Sequence, residues 1–543
     1  MKSARYARPL DGLCFRRIRP PRNNGKSPRK AVNCQSGDVL EEAQEQAAGK
    51  EGVLKALDAA AVSLRSKLGE SLSTVQEYAT PLADVTTPSL EALKAFSLGQ
   101  KTGSAKSGAA ALPFFKRAVE LDSNFALAYL LLSGTYSNLN EPGLAAEYAR
   151  KAYELRSKVS ERERFLIEAI YYWHVTGELE KAAQTFELWQ QTYPRDATPY
   201  LNLGAISSNL GNYETALEEL REALRVEPNG GLIYLNLGQV YQSLNRLDEA
   251  EAVYKQADER KLEDEDLLWN RYLLTFLKGE AAAMERLTSA ATGKPGVEDL
   301  LLATQADTQA WYGKLKNARE LTRRAMDSAE HNDAKETAAG YQAESALREV
   351  ELGNLEQARS EANAAMKLAS SRDVKAMAAL ALARAGDAAG AEKLATELDM
   401  TFPLGTLVQR YWLPTIRAAI ALERKDPNRA VELLKETSVM ELGSPTNFAV
   451  VMVPVYVRGE AYLALGDGNR AATEFQKFID HRGLVANFPW GALARLGLAR
   501  AYVLQGDTTK ARAAYQDFLT LWKDADADVP ILKQAKAEYA KLH

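Results

Sequence analysis

The chain has 543 residues, of which 46% are hydrophobic and 26% charged, and this balance excludes wholesale disorder because it allows a sizeable buried core. Glycine and proline number 34 and 19, too few for a fibrous or low-complexity protein. The net charge of −4 combines +9 for residues 1–31 with −13 for the rest. An acidic body lacks the folded basic face that nucleic-acid binding requires, so no nucleic-acid partner is expected.

The residues up to position 87 divide into a tail, a small folded segment and a linker. Residues 1–31, rich in Arg, Pro and Asn, are predicted to form a disordered basic tail. Residues 32–71 contain two short predicted strands around a turn, then a helix from about residue 51 to 70 with apolar side chains at three- and four-residue intervals. That apolar face needs a sheet to cover, so this segment is predicted to be part of a larger α/β domain. Residues 72–87 are predicted to be a linker.

Amphipathic helices fill residues 88–525, and Gly, Asn or Asp turns punctuate them at a recurring interval of 34 residues. The positions that coincide in this register are Ala182, Ala216 and Ala250; Phe186, Leu220 and Tyr254; Gly204 and Gly238; and Pro194 and Pro228. The pattern resembles the tetratricopeptide repeat (TPR), whose W-x₂-L-G-x₂-Y…A-x₃-F…P signature describes a pair of helices. The resemblance implies an all-α fold, a TPR α-solenoid in the form of a right-handed superhelix of about twelve helical hairpins.

The spacing of small residues predicts how each helical hairpin closes. Two antiparallel helices approach closely only where the facing side chains are small, so Gly204 is expected to meet Ala216. Pro228 stands where the second helix of that hairpin should end, because proline cannot continue a helix. A single helix within residues 526–543 is predicted to cap the last repeat. Stacking of this kind is expected to leave a curved inner surface free to bind other polypeptides.

Motifs for catalysis, cofactors and membranes are missing from the sequence. There is no GxxxxGK[ST] phosphate loop and no GxSxG nucleophile elbow, so neither enzymatic activity nor a cofactor is expected. The longest apolar stretch, 448–457, is too short to cross a bilayer, and no membrane insertion by this chain is expected. The four histidines lie far apart and outside any ligand spacing, so no metal site is expected: His174, His331, His481 and His543.

The TPR resemblance also nominates binding residues, because the first helix of each repeat lines the concave side in that family. The residues nominated by register are Tyr171, His174, Asn209, Gln239, Trp269, Phe276, Trp412 and Tyr456. Aromatic groups beside amides suit the binding of an extended peptide, so a protein or peptide ligand in the concave groove is the expected partner. The alternative for each aromatic residue is core or inter-repeat packing, and for His174 a half-buried histidine with a satisfied partner. The oligomeric state stays open.

Two further segments resemble a second, narrower family. Two stretches, the text from VNCQSGDVLEEAQ to LEALKAFSLG (residues 32–99) and the closing text DFLTLWKDADADVPILKQAKAEYAKL, are similar to the TolB-like and TPR regions of bacterial receptor-type serine/threonine kinases. This resemblance implies the sensory or docking part of a signalling system. The kinase motifs themselves, the Gly-rich loop, VAIK-type lysine, HRD and DFG, do not occur in the chain.

The kinase resemblance leaves two alternatives open: a fragment of a membrane serine/threonine kinase, or the effector part of a TPR-containing transcription regulator. The compartment is open as well, cytoplasmic for the chain as written and extracytoplasmic for a sensor of a membrane kinase. Because the TolB-like segment begins at its last hairpin, we hypothesise that residues 1–31 come from a shifted frame or a misplaced start. Resequencing the upstream DNA tests this hypothesis.

Overall fold

The computed structural model describes residues 13–17, 26–33, 39–46, 53–67, 87–105, 107–262, 267–446, 448 and 450–542. Within these residues the chain forms 27 α-helices and one three-stranded sheet. Two compact units are distinguished. The first is drawn from Met1–Thr102, Ala111–Leu132 and Lys151–Ile167, and the second from Gly103–Ala110, Ser133–Arg150 and Glu168–His543.

The first unit opens with a small sheet and a helix. The elements are β1 (Leu13–Arg17), β2 (Lys26–Asn33), β3 (Val39–Gln46) and α1 (Val53–Lys67), with the strands antiparallel in the order β1-β2-β3. Ala60 and Leu64, one turn apart on α1, are buried together with Ala43 of β3. The helix therefore covers the sheet with the apolar face that the sequence pattern predicts.

Residues 1–31 differ from the predicted disordered tail, because β1 and most of β2 fall inside them. Strand pairing is made by backbone groups and needs few apolar side chains, so a composition rich in Arg and Pro does not exclude it. The other residues of this tail, and all but the last residue of the predicted linker 72–87, lie outside the described part of the chain.

Twelve helical hairpins follow, each with a first helix, a turn and a second helix. Hairpins 1–6 are α2–α3 (Leu90–Ala105, Gly108–Leu121), α4–α5 (Ala126–Asn138, Pro142–Glu154), α6–α7 (Glu161–Tyr171, Leu179–Thr192), α8–α9 (Ala197–Asn209, Tyr213–Val226), α10–α11 (Gly231–Ser243, Leu247–Glu259) and α12–α13 (Leu267–Lys278, Ala281–Ala291). Hairpins 7–12 are α14–α15 (Glu298–Trp311, Leu315–His331), α16–α17 (Lys335–Glu351, Leu355–Leu368), α18–α19 (Arg372–Arg384, Ala388–Thr401), α20–α21 (Leu413–Glu423, Pro427–Leu433), α22–α23 (Val453–Ala464, Gly468–Asp480) and α25–α26 (Trp490–Leu504, Thr508–Leu521). The short α24 (Arg482–Val485) precedes hairpin 12, and α27 (Pro530–Ala540) follows it. The predicted all-α solenoid of about twelve hairpins is confirmed.

Hairpin 4 shows why a glycine recurs in the first helices. A Cβ atom on Gly204 would lie 2.7 Å from Cγ of Leu220 and 3.3 Å from the carbonyl oxygen of Ala216, so the facing helix leaves no room for a side chain. The predicted approach of Gly204 to Ala216 is therefore confirmed. The second helix ends at Val226, two residues before Pro228, as the missing N–H of proline requires.

Turns inside early hairpins of the second unit contact loops that come six or seven hairpins later in the chain. We call three of these contacts the seam: turns 176–180, 208–213 and 242–245 against loops 405–410, 442–444 and 480–483, respectively. The hydrogen bonds across it run from Thr406 N to the Gly177 carbonyl (2.9 Å), from Ser444 N to the Ser208 carbonyl (3.3 Å) and from Gly483 N to Oδ1 of Asn245 (2.7 Å). The hairpins thus coil back onto themselves within this unit.

Each loop of the seam supplies a glycine at the contact. A Cβ atom on Gly443 would overlap the carbonyl oxygen of Asn209, and one on Gly483 would overlap that of Gln242. A Cβ atom on Gly405 would lie 3.4 Å from the Thr176 carbonyl oxygen. At Gly443 and Gly483 the two backbones meet directly, so the seam depends on the absence of a side chain at these two positions.

Contacts of the same kind continue beside the seam. Thr337 at the start of α16 donates its hydroxyl to the Leu139 carbonyl in the turn of hairpin 2 (2.9 Å). Asp526 N donates to the Gly313 carbonyl in the turn of hairpin 7 (3.0 Å). The carboxylate of Glu141 also accepts from Thr337 N (3.0 Å), and burial raises the pKa of this carboxyl group.

The first helices of the later hairpins are buried on nearly every side. In α16, 14 of 17 residues are buried, and in α18, 10 of 13, whereas the second helix α9 buries 5 of 14. The sequence of α18, RDVKAMAALALAR, is apolar around most of its circumference, as a fully surrounded helix requires. The expectation of a free inner surface is therefore wrong for hairpins 8 and 9, because coiling brings other helices against it.

Substitution of Gly483 by alanine tests the seam. The added methyl group would overlap the Gln242 carbonyl oxygen, and we expect Gly483→Ala to lower the free energy of unfolding by about 2 kcal/mol. The measurement is urea denaturation followed by circular dichroism.

Gly134→Ala is the matched control, because no atom lies within 4 Å of its added Cβ and the position is inside α4. Alanine there should stabilise the helix slightly, by about 0.5–1 kcal/mol. Equal effects of the two substitutions would show that the seam does not form.

Candidate functional site

The eight groove residues predicted from the repeat register fall into two groups by exposure. Six are partly exposed: Tyr171, His174, Asn209, Gln239, Trp269 and Phe276. Trp412 and Tyr456 are buried, with 1% and 7% of their surface exposed. Trp412 and Tyr456 are therefore closed to a ligand.

Tyr456 and Trp412 are core residues, which corrects their prediction as groove residues. The ring of Tyr456 packs against Phe475, Phe478 and Trp490, with centroids 5.7 to 5.8 Å apart. Trp412 lies in a π-helical turn, 408–412, directly before α20, and contacts the ring of Tyr411 edge-on. The repeat register loosens after about residue 265, so a groove position there cannot be assigned from spacing alone.

Asn209 belongs to the seam. Its carbonyl oxygen lies against Gly443, and Tyr213 at the start of the next helix donates its hydroxyl to the Leu442 carbonyl (2.9 Å). The turn of hairpin 4 is therefore covered by loop 442–444 of the same chain. A ligand would have to displace that loop to reach Asn209.

Tyr171 and His174 lie at the end of the first helix of hairpin 3, which finishes in a π-helical turn, 172–176. The imidazole of His174 stacks on Trp173 with centroids 5.5 Å apart. Burial, with a smaller contribution from the charge of Arg372, lowers the pKa of His174 to about 4. This histidine is neutral at pH 7 and belongs to the packing around the seam.

Trp269 and Phe276 lie two turns apart on α12, and their surroundings differ. Trp269 packs against the buried cluster that includes Tyr272, Leu273 and Leu301. Phe276 contacts the rings of Trp311 (5.4 Å) and Tyr312 (6.5 Å), both edge-on. Only Phe276 therefore forms part of an aromatic group that extends beyond its own helix.

We call Phe276, Trp311 and Tyr312 the aromatic patch. Tyr312 is 38% exposed, and the other two side chains are partly exposed. The end of α12 and the turn of hairpin 7 position the three rings, and Gly313 ends α14 with φ +70° so that the chain reverses directly after them. The patch is an accessible aromatic surface, and one of its three residues, Phe276, is a predicted groove residue.

Trp311 and Tyr312 are binding candidates that the repeat register does not nominate. The signal for them is the pair of aromatic residues immediately before the turn glycine in the text WYGKL. Their surroundings come from far along the chain: Nε1 of Trp522 donates to the Trp311 carbonyl (2.9 Å), and a Cβ atom on Gly491 would contact the Trp311 ring. Periodicity within one repeat cannot predict such contacts.

Buried charges near the centre of the second unit pair with each other. Arg348 donates to Asp307 (2.6 Å) and to the hydroxyl of Thr322 (2.6 Å), and all three side chains are buried. Burial raises the pKa of Asp307 to about 6, although the charge of Arg348 opposes the shift. Because the guanidinium and the carboxylate satisfy each other, the pair is structural and offers no group for binding or catalysis.

In the part of the chain that the structure describes, no three side chains of His, Cys, Asp or Glu come together in a way that could hold a metal ion. None of the helices described here is both long and apolar enough to cross a bilayer.

The repeat architecture agrees with known sequence families. Residues 126–159, 195–261 and 456–528 each match a family model described as tetratricopeptide repeat. These segments correspond to hairpin 2, hairpins 4 and 5, and hairpins 11 and 12. The chain therefore carries tetratricopeptide repeats, as the 34-residue register predicts.

Similar proteins match the chain at low identity, and some of them over only part of its length. The chain is 24% identical over 223 residues to Superkiller protein 3 of Schizosaccharomyces pombe, a match covering 40% of this chain and 16% of that protein. It thus spans about a sixth of the curated relative. Among solved structures it is similar to yeast Tom70 (14% identity, 83% of this chain and 95% of that chain, TM-score 0.31) and to Pseudomonas aeruginosa PilF (18%, 40% and 97%, TM-score 0.26).

The lowered pKa of His174 predicts a dependence of stability on pH. The folded-state value of about 4 lies below the ordinary value of 6.5, so the unfolded chain takes up the proton first as the pH falls. We expect the free energy of unfolding to decrease between about pH 6.5 and pH 4, and to decrease less in His174→Gln. Urea denaturation at a series of pH values measures the free energy of unfolding of the wild type and of His174→Gln. Parallel curves for the two proteins over this range would contradict the prediction.

Proposed function

We propose that this chain is a non-catalytic scaffold that binds a protein or peptide partner through the aromatic patch. The observation that carries the proposal is the partial exposure of three aromatic side chains, Phe276, Trp311 and Tyr312, in a unit where most inner helices are buried. Aromatic side chains supply large contact area at low entropic cost and dominate binding energy at protein interfaces. The tetratricopeptide repeats support the proposal, because proteins with these repeats bind protein or peptide partners.

We also propose a context for this binding, the sensory or docking part of a bacterial kinase-type signalling system. Its support is the resemblance of the segment from about residue 31 and of the C-terminal text to receptor-type kinases. A phosphotransfer assay on the purified full-length chain separates a scaffold from an enzyme. Incorporation of labelled phosphate into the chain or an added protein would defeat the scaffold proposal.

Truncation of Phe276 tests the aromatic patch. We expect Phe276→Ala to weaken the capture of a partner by the full-length chain about 30-fold, the loss typical of an interface hot spot. The measurement is pull-down from lysate of the source organism, with captured proteins quantified by mass spectrometry against the wild type.

The matched control is Leu188→Ala, which removes a side chain that is 52% exposed on the second helix α7. This variant should retain wild-type capture, and thermal melts should show that both variants are folded. A partner captured equally by the wild type and Phe276→Ala would rule out the aromatic patch as its binding site.

A further inference from the structure

Arg495 lies beside the aromatic patch. It is a partly exposed residue of α25, and its guanidinium carbon stands 5.6 Å from the centre of the Trp311 ring. Nη1 donates to the Gly491 carbonyl one turn earlier (2.7 Å), which fixes the direction of the side chain. A cation over an indole face is favourable, and the remaining guanidinium N–H groups still need acceptors.

Four other arginines of the second unit, all at least partly buried, each have a carboxylate partner. The pairs are Arg384 with Glu460 (2.5 Å), Arg458 with Glu441 (2.5 Å), Arg348 with Asp307 (2.6 Å) and Arg500 with Glu538 (2.9 Å). Arg495 differs, because no carboxylate oxygen of the described residues lies within 4.0 Å of its guanidinium. Burial lowers the pKa of Arg495, and the charge of Asp517 offsets this only in part. A desolvated cation here lacks the anion that the other sites supply.

The repeat register sets Arg495 apart from the residues at the same position of hairpins 4 and 5. Arg495 stands 16 residues before Ala511, the spacing that separates Tyr200 from Ala216 and Tyr234 from Ala250. Both tyrosines are buried core residues of hairpins 4 and 5. A core position thus carries a cation in hairpin 12, on the side where it reaches the aromatic patch.

We propose that Arg495 and the aromatic patch together form a subsite for an acidic peptide. The carboxylate would pair with the guanidinium, and the neighbouring apolar side chain would pack against Trp311, Phe276 and Tyr312. Charge complementarity selects this occupant: a partly buried guanidinium that has no ion-pair partner among the described residues sits beside exposed aromatic rings. Two sources supply such a carboxylate, an Asp or Glu side chain and a peptide C-terminus, and a guanidinium binds either one in the same bidentate way. The inference rests on the proposed function of the aromatic patch.

The test uses fluorescein-labelled decapeptide pools with random flanks around a fixed centre, titrated with the full-length chain by fluorescence polarisation. One pool has a Phe-Glu centre and an amidated C-terminus, the second Phe-Gln and an amidated C-terminus, and the third Phe-Gln and a free C-terminal carboxylate. We expect the wild type to bind at least one carboxylate pool about tenfold more tightly than the neutral pool, the gain from one charge-assisted pair. Comparison of the first and third pools identifies the source of the carboxylate.

Variants assign the preference to the arginine. Arg495→Gln keeps a donor for the Gly491 carbonyl and should abolish the tenfold preference. Arg495→Lys should keep part of the preference, because a lysine retains the charge without the bidentate geometry. Arg286→Gln, which removes an exposed charge on α13, is the matched control and should bind like the wild type.

The outcomes separate this inference from the proposed function. Equal binding of all three pools, or a preference that survives Arg495→Gln, overturns the acidic subsite but leaves the aromatic patch as a binding surface. Failure of every pool to bind the wild type also overturns the subsite. The pull-down with Phe276→Ala then decides independently whether the patch binds a protein partner.

Discussion

Direct contact of backbone with backbone at the seam is the constraint on which the second unit depends. Gly443 and Gly483 let the later loops touch the carbonyl oxygens of Asn209 and Gln242, with no side chain between them. Because these contacts join hairpins that are six or seven apart, they fix how tightly the array coils. A stack of helical hairpins without them would be free to vary its pitch.

Tight coiling decides which surfaces remain available. The first helices of hairpins 8 and 9 become core, and their charges are satisfied internally, as Arg348 is by Asp307. The loops between the later hairpins follow the surface that they cover. In one of these loops Ala486 has φ +48°, a conformation that residues with a side chain rarely adopt. Exposed aromatic surface persists around Tyr312, and the proposed binding site lies in that part of the unit.

Local features of the sequence predict the hairpins well. The spacing of Gly204, Ala216 and Pro228 specifies which helices pair, where they approach and where they end, because each feature acts within one repeat. The groove could be predicted only in part. Trp412 and Tyr456 are buried by residues from other hairpins, and Trp311 joins Phe276 through a turn outside the nominated positions. Such contacts depend on how many hairpins make one turn of the coil, a quantity that a 34-residue period does not contain.

Hydrogen exchange at the seam tests this account most directly. Three backbone amides, those of Thr406, Ser444 and Gly483, donate across the seam although they lie in loops or a single helical turn. We predict that mass spectrometry of the exchanging native protein will find these amides protected to the same degree as the neighbouring long helices. Rapid exchange there, with the helices still protected, would show an uncoiled array and contradict the central claim.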